Sequence, residues 1–377
     1  MFYLLRTPEI ILKGKNRINF EKVFINNIKN KFDENCLTIK NYGGIFLLET
    51  KEDVSEQIKK IFGIESFSPV KIFHSLDEIK NFLLQEKLKN NLNIYAQRGD
   101  KDYPLNSLQI ANELKKFIKE KLNLKIEEKN PEIKIFIYYK DKKFFLYFEK
   151  IKCFGGLPVG SNGKGLVLLS AGFDSPVASF LIMKRGIKVY FLHFHSYPQT
   201  KIESIEKVKK LVEILNEYNL GSELYLMNIL KIQKFYFFNI PKEYLVIFYR
   251  RTMFKLAEKL KNELGLNALI TGENLGQVAS QTIYNMETIE KAINSLVLRP
   301  LLGFNKQEII DLSKKIGTEK ISKEPYDDCC SLFLPKKVKT KAKLEKILEI
   351  EKKFQKEILK IEEQIYQEKE KIIFKIN

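Results

Sequence analysis

Residues 166–176, Leu-Val-Leu-Leu-Ser-Ala-Gly-Phe-Asp-Ser-Pro, form an apolar run that ends in small and polar residues and continues as a helical pattern. A strand, a tight turn and a helix in that order present main-chain N–H groups and a positive helix end to whatever sits above the turn, and an anion suits that place. Pro176 fits the first helical position and Ser175 the N-cap. An ordinary βα turn would show the same local pattern. Further along, His193 and His195 share one face of a strand. No third residue completes a zinc-type spacing with them. Arg250-Arg251 fits either a solvated helix face or a phosphate clamp. Gly163-Lys164 has the ending of a Walker loop, but Gly165 stands where Ser or Thr is required and Pro158 where the upstream glycine belongs. That reading is rejected.

The elements around this turn alternate. Strand patterns at 189–194, 223–227 and 268–271 are separated by helical patterns at 205–215 and 245–264. Such a βαβ series implies a doubly wound parallel sheet of an α/β protein, with ligands at the strand C-termini. Those ends are polar: Ser170, then His193 and His195, then Thr271-Gly272-Glu273. Two small α+β units precede the sheet. The first combines strands at 2–5 and 45–49 with helices at 20–32 and 54–62. The second combines strands at 66–73 and 93–98, helices at 76–89 and 107–122, and a hairpin of 133–139 with 143–147. A glycine-rich linker follows. Beyond Pro335 the chain is rich in Lys and Glu, with Ile347, Ile350, Phe354, Ile358, Ile361 and Ile365 stepping by three and four, a stripe suited to packing on the protein's own body or on a second subunit. The expected domains are 1–55, 56–153, a linker at 154–164, 165–335 and a helical extension at 336–377.

Composition narrows the partners. The chain has 377 residues and a formal net charge of +18, from 65 Lys+Arg against 47 Asp+Glu. A balance that basic suits a polyanion, because non-specific affinity for nucleic acid is mostly phosphate neutralisation. Aromatics interleaved with lysine in the hairpin also suit RNA, though a half-buried sheet gives the same pattern. The four cysteines, Cys36, Cys153, Cys329 and Cys330, are too few for a disulfide scaffold. No signal peptide is evident at the N-terminus, and no apolar stretch approaches the roughly 20 residues of a membrane span. A cytoplasmic protein with no membrane partner is expected.

The turn Ser170-Ala171-Gly172-Phe173-Asp174-Ser175 resembles the PP-loop, S-G-G-x-D-S, of the ATP pyrophosphatases, with Ala171 in place of the first glycine. The resemblance then narrows to the tRNA 4-thiouridine synthetase (tRNA sulfurtransferase) family. It is carried by 155–160 (GGLPVG), 193–198 (HFHSYP), 272–282 (GENLGQVASQT), 299–303 (RPLLG) and 325–330 (PYDDCC). Upstream, Lys13-Gly14-Lys15-Asn16-Arg17 resembles the family's ferredoxin-like domain. Residues 96–101 and 130–132 resemble its THUMP domain, an RNA-binding module. The match spans residues 1 to about 335.

That resemblance implies a PP-loop domain behind two small α+β domains. It implies ATP-dependent thiolation of a tRNA uridine, giving 4-thiouridine at position 8 through an adenylated uridine and a cysteine persulfide. ATP would be surrounded by Leu168, Leu169, Ser170, Gly172, Ser175, His193, Phe194, Arg250, Gly272 and Gln281, with Mg²⁺ entering on ATP near Asp174 and no metal held by protein alone. Asp174 and Lys306 would be catalytic. Cys329 would carry the sulfur, with Cys330 or an external thiol resolving the product, and an electropositive setting offsetting Asp327 and Asp328. A cysteine desulfurase is the expected donor, because neither a C-terminal rhodanese domain nor a CxxC pair is expected here; the family's role in thiamine thiazole synthesis, which needs that domain, is not implied. A homodimer is expected, with Arg6, Lys13, Lys15, Arg17, Arg98 and Lys101 on RNA phosphates. Two alternatives stay open: a PP-loop enzyme adenylating another nucleoside or small molecule, and an RNA-binding adaptor with a degenerate ATP site.

Overall fold

The computed structural model describes residues 1–32, 35–325 and 329–376. Tyr326, Asp327 and Asp328 of the cysteine motif lie outside the described residues. The chain divides into two compact units, residues 1–156 and 157–377.

In the first unit, β1 (Phe2–Arg6), α1 (Pro8–Ile11), α2 (Arg17–Phe32), β2 (Cys36–Asn41), β3 (Ile45–Thr50) and α3 (Ser55–Ile58) begin an antiparallel sheet. Its order is β2-β3-β1-β4-β9, where β4 is Ser66–Pro69 and β9 is Ile151–Lys152. The sheet therefore runs past the boundary expected at residue 55. Phe67 and Ile64 are buried with Tyr3, Leu5, Phe24 and Phe46, so the chain beyond 55 is needed to close this core. A second sheet, β5-β8-β7-β6, is built from β5 (Lys71–Phe73), β6 (Leu92–Arg98), β7 (Ile133–Lys140) and β8 (Lys143–Tyr147), backed by α4 (Leu76–Gln85) and α5 (Ser107–Leu122). Asp141 and Lys142 both take positive φ, +53° and +57°, as a two-residue hairpin turn demands. The interleaved aromatics belong largely to the interior: Phe144, Phe145, Tyr138, Tyr139 and Tyr147 are all buried.

The second unit follows the expected doubly wound pattern. Its strands are β10 (Lys164–Leu168), β11 (Lys188–His195), β12 (Ser222–Asn228), β13 (Ala268–Ile270), β14 (Val297–Leu298) and β15 (Glu370–Phe374). They are ordered β14-β13-β10-β11-β12-β15. All pairs are parallel except β12 with β15. The helices are α6 (Asp174–Lys184), α7 (Glu203–Asn219), α8 (Leu230–Asn239), α9 (Leu245–Glu263), α10 (Ile283–Glu290), α11 (Lys306–Ile316), α12 (Glu319–Lys323), α13 (Leu344–Lys353) and α14 (Gln355–Gln367). Gly165, Leu166, Val167 and Leu168 are buried because β10 has neighbours on both edges and helices on both faces. The C-terminal stretch is part of this unit. Ile347, Ile350, Ile358 and Ile365 bury into the same core as Leu166 and Phe248, and β15 adds an antiparallel edge. The stripe is shared between two helices that meet at Phe354, where the backbone leaves helical values.

A PP-loop cleft at the carboxyl ends of β10, β11 and β13

Strand order decides where the site lies. β10 has β11 on one edge and β13, far later in the chain, on the other. Connections leave in opposite directions there, opening a crevice beyond the strand ends. The turn at 170–175, the end of β11 and residues 271–273 all reach this crevice. Lys164 starts β10, at the end away from it.

The turn is held by its own serines. Ser170 donates its N–H to Ser175 Oγ at 2.8 Å, and Ser175 Oγ donates back to the Ser170 carbonyl at 3.1 Å. Ser175 is therefore the clasp of the loop rather than the helix cap expected for it. The helix starts earlier, at Asp174, with Phe173 at the N-cap position and Pro176 third in its first turn. Ala171 is buried and is absent from the residues with positive φ. Its methyl group therefore costs the loop no backbone strain. Gly272 closes the loop from β13. A Cβ there would lie 2.6 Å from the Ser175 nitrogen, so only glycine lets the two segments approach this closely.

Asp174 stands at the mouth. Its Oδ1 receives Lys306 Nζ at 2.8 Å and its Oδ2 receives Gln277 Nε2 at 3.2 Å. Lys306, which an Asn305/Glu308 capping box places at the first position of α11, also lies over the Phe173 ring. It faces the loop. The cation that shares a hollow with the cysteines is Arg250.

Two adjoining hollows make up the cleft. One, of about 260 Å³, is lined by the loop, Gly272, Glu273, Gln277 and Gln281. The other is lined by Leu169, His193, Phe194, Cys329 and Cys330. Leu168, Ser170, Arg250 and Cys330 line both. Arg250 is aimed by Glu273, whose carboxylate takes Arg250 Nη2 at 2.7 Å and Arg299 Nε at 2.8 Å. Burial alone would raise the Glu273 carboxyl, but the two guanidinium groups hold it below the usual range. Arg251, by contrast, turns inward and makes a bidentate pair with Glu351 of α13 at 2.7 and 2.9 Å. The Arg pair is thus neither a solvated face nor a double clamp: successive helical residues point about 100° apart.

His193 is buried, and its Nδ1 lies 2.8 Å from the Leu169 carbonyl. A carbonyl only accepts, so Nδ1 carries the proton and Nε2 is an acceptor, with no partner among the described residues. Burial lowers both His193 and His195 to about 4, keeping both neutral. Among the described residues no group of three or more His, Cys, Asp or Glu is gathered for a metal. Cys329 is buried on a short 3₁₀ turn, its Sγ donating to the Phe194 carbonyl at 3.2 Å; Cys330 Sγ lies 4.0 Å from Met253 Sδ.

The residues expected on RNA belong to the first unit and differ in engagement. Arg98 donates to the Tyr103 and Leu105 carbonyls at 2.9 and 3.0 Å, holding a loop. Arg6 donates to Ser68 and lies over Tyr147, Arg17 pairs with Glu21, and Lys13 lies over Phe20. Lys15 and Lys101 are exposed.

Gln277 and Gln233 are not among the candidate site residues read from the sequence, and Glu273 is read there only as part of a polar strand end. Glu273 carried a signal, a carboxylate at a strand end three residues past an apolar run. Gln233, in a helix that also holds Lys231 and Lys234, carried none.

Family models match all along the chain: a ferredoxin-like domain of ThiI at residues 2–68, a THUMP domain at 73–149, and the thiamine biosynthesis protein ThiI at 160–356. A probable tRNA sulfurtransferase of Alkaliphilus oremlandii is 39% identical over 371 residues, covering 94% of each chain. One of Coxiella burnetii is 40% identical, covering 92% of this chain and 93% of its own. A solved 4-thiouridine synthetase–RNA complex with bound ATP superimposes with a TM-score of 0.90 at 34% identity, covering 99% of both chains. No helix among the described residues is long and apolar enough to cross a membrane. The chain belongs to the tRNA sulfurtransferase (ThiI) family.

Proposed function

We propose that this chain is the enzyme that converts a tRNA uridine, at position 8, to 4-thiouridine at the expense of ATP. The observation that carries the reading is the meeting of the PP-loop, the Lys306–Asp174 pair and Cys329–Cys330 around one cleft. Residues for adenylation and residues for sulfur handling then serve a single bound uridine.

In the first step uridine O4 attacks the α-phosphorus of ATP. The O4–P bond forms, the α–β bridging bond breaks and pyrophosphate leaves. The loop amides, the N-terminus of α6 and Lys306 stabilise the departing charge. The base lies against Leu168, Leu169, His193 and Phe194, and Arg250, Gly272 and Gln281 border the rest of the nucleotide. Mg²⁺ fits here as an ion carried by the triphosphate, with Asp174 as the carboxylate at hand, and it supplies charge neutralisation of the leaving group.

In the second step a persulfide on Cys329 attacks C4 through its terminal sulfur, and AMP leaves. A second thiol, Cys330 or an external one, then attacks Cys329 Sγ. A disulfide forms, the sulfur stays on C4, and an external thiol reductant restores the pair. Arg250 is the cation that lines this hollow with the two cysteines. A cysteine desulfurase supplies the sulfur, and a homodimer lets one tRNA span both subunits, with Arg6, Lys13, Lys15, Arg17, Arg98 and Lys101 on its phosphates. The cytoplasm holds all of these reactants.

Incubation with ATP, a cysteine desulfurase, cysteine and unmodified tRNA, followed by nucleoside analysis, tests the reading. 4-Thiouridine should appear only with all components. Pyrophosphate exchange driven by a small molecule in place of tRNA would overturn it.

A further inference from the structure

Gln233 of α8 is fully buried. An amide in that position costs stability unless both of its ends are satisfied. Its Nε2 donates to the carbonyl of Cys329 at 2.7 Å, and its Oε1 accepts from the hydroxyl of Ser196. The Cys329 carbonyl only accepts, which fixes the amide's orientation. Ser196, also fully buried, is the residue directly after β11. Cys329 is thus tied to the end of β11 twice, through its sulfur to Phe194 and through its carbonyl, by way of Gln233, to Ser196.

The two ties respond differently to chemistry. The S–H bond to Phe194 exists only while Sγ carries its proton. A thiolate or a persulfide has no hydrogen on Sγ, and the Phe194 carbonyl then faces a lone pair. The amide bond from Gln233 to the main chain is indifferent to the state of the sulfur. On the other side of residues 326–328, buried Lys207 of α7 donates to the carbonyls of Ser322 and Glu324, at 3.1 Å to the first.

We propose that Gln233, oriented by Ser196, is a positioning residue for sulfur transfer: it holds the main chain of Cys329 at the end of β11 once the thiol has lost its proton or taken up sulfur. This rests on the reading of Cys329 as the sulfur carrier. Gln233 lines neither hollow of the cleft, so its removal should divide the two half-reactions.

The test uses full-length Q233L, S196A and C329S, each assayed for tRNA-dependent ATP–pyrophosphate exchange and for 4-thiouridine formation. Q233L should keep exchange, with an unmoved KM for ATP, and lose thiolation by roughly 30-fold, the scale of an unsatisfied buried carbonyl. S196A leaves the amide in place and should lose thiolation by about fivefold with exchange unchanged, a readout that survives even if Q233L does not fold. In both variants, iodoacetamide should alkylate Cys329 faster than in the parent. Equal loss of exchange and thiolation in both would mark Gln233 as a folding element and overturn the proposal, as would full thiolation in either. Thiolation by C329S would remove the sulfur-carrier reading itself, and this inference with it.

Discussion

Lys306 Nζ and Asp174 Oδ1 meet at 2.8 Å although 132 residues separate them in the chain. The pair joins the first residues of two helices, α6 and α11, at the mouth of the loop. Both side chains are partly exposed, 47% for Lys306 and 22% for Asp174, so the pair contributes less than about 1 kcal/mol to stability. Its value is to place a cation beside the loop. K306A should keep its melting temperature within a few degrees and lose pyrophosphate exchange on the order of 100-fold.

Gly272 tests the tightness of the cradle. An added methyl group would fall 2.6–2.8 Å from main-chain atoms of Asp174 and Ser175, which cannot step aside without moving the loop. G272A should destabilise the fold by about 1–3 kcal/mol. Its kcat/KM for ATP should fall on the order of 100-fold, because the donors are displaced from the phosphates. Thermal denaturation with and without ATP separates the two effects.

The cysteines should part in their kinetics. C329S should form no 4-thiouridine under any condition. C330S should stall with the tRNA joined to Cys329 through a disulfide, and release 4-thiouridine only when an external thiol is supplied. Thiolation retained in C329S but lost in C330S would reverse the assignment.

Acid should loosen this unit through His193. Its folded value is lowered from 6.5 to about 4 by burial, so the unfolded chain binds the extra proton first. The neutral form is matched to the fold above pH 6.5, and stability falls as the pH drops from there to about 4. The cost to the fold approaches about 3 kcal/mol. The melting temperature of H193Q should fall less steeply than that of the parent over that window.

The basic residues of the first unit should separate into two classes when tRNA affinity is measured against salt. K15A and K101A should each flatten the slope by about 0.9, the release of one counterion. R98A frees the Tyr103 and Leu105 carbonyls and should also lower the unfolding midpoint of this unit. An unchanged slope in an R98A/K101A double mutant would remove that face from the RNA surface.

Local order settled much of this protein. The apolar run that becomes β10, its small-residue turn and the helix after it are neighbours in the chain, so their spacing could be read directly. The alternation of strands and helices gave the parallel sheet and placed the site at its carboxyl ends. The motifs at 272–282 and 325–330 named the segments that would join it. What a linear pattern could not hold was which side chains meet. Ser175 reads as a helix cap and serves as the clasp of the loop, because the helix begins at Asp174. Arg250 and Arg251 look alike, yet one faces the cleft and the other closes on Glu351, 100 residues later. The last forty residues read as an appended helix, but their isoleucines fill the core beside β10 and their final strand closes an edge of the sheet. Gln233 is one of several polar residues in its helix, and nothing marks it out until Cys329 and Ser196 are folded against it. Apart from the Ser175 clasp, whose partner is five residues away, these pairings join segments distant in the chain, and it is the burial of the core that brings them within reach.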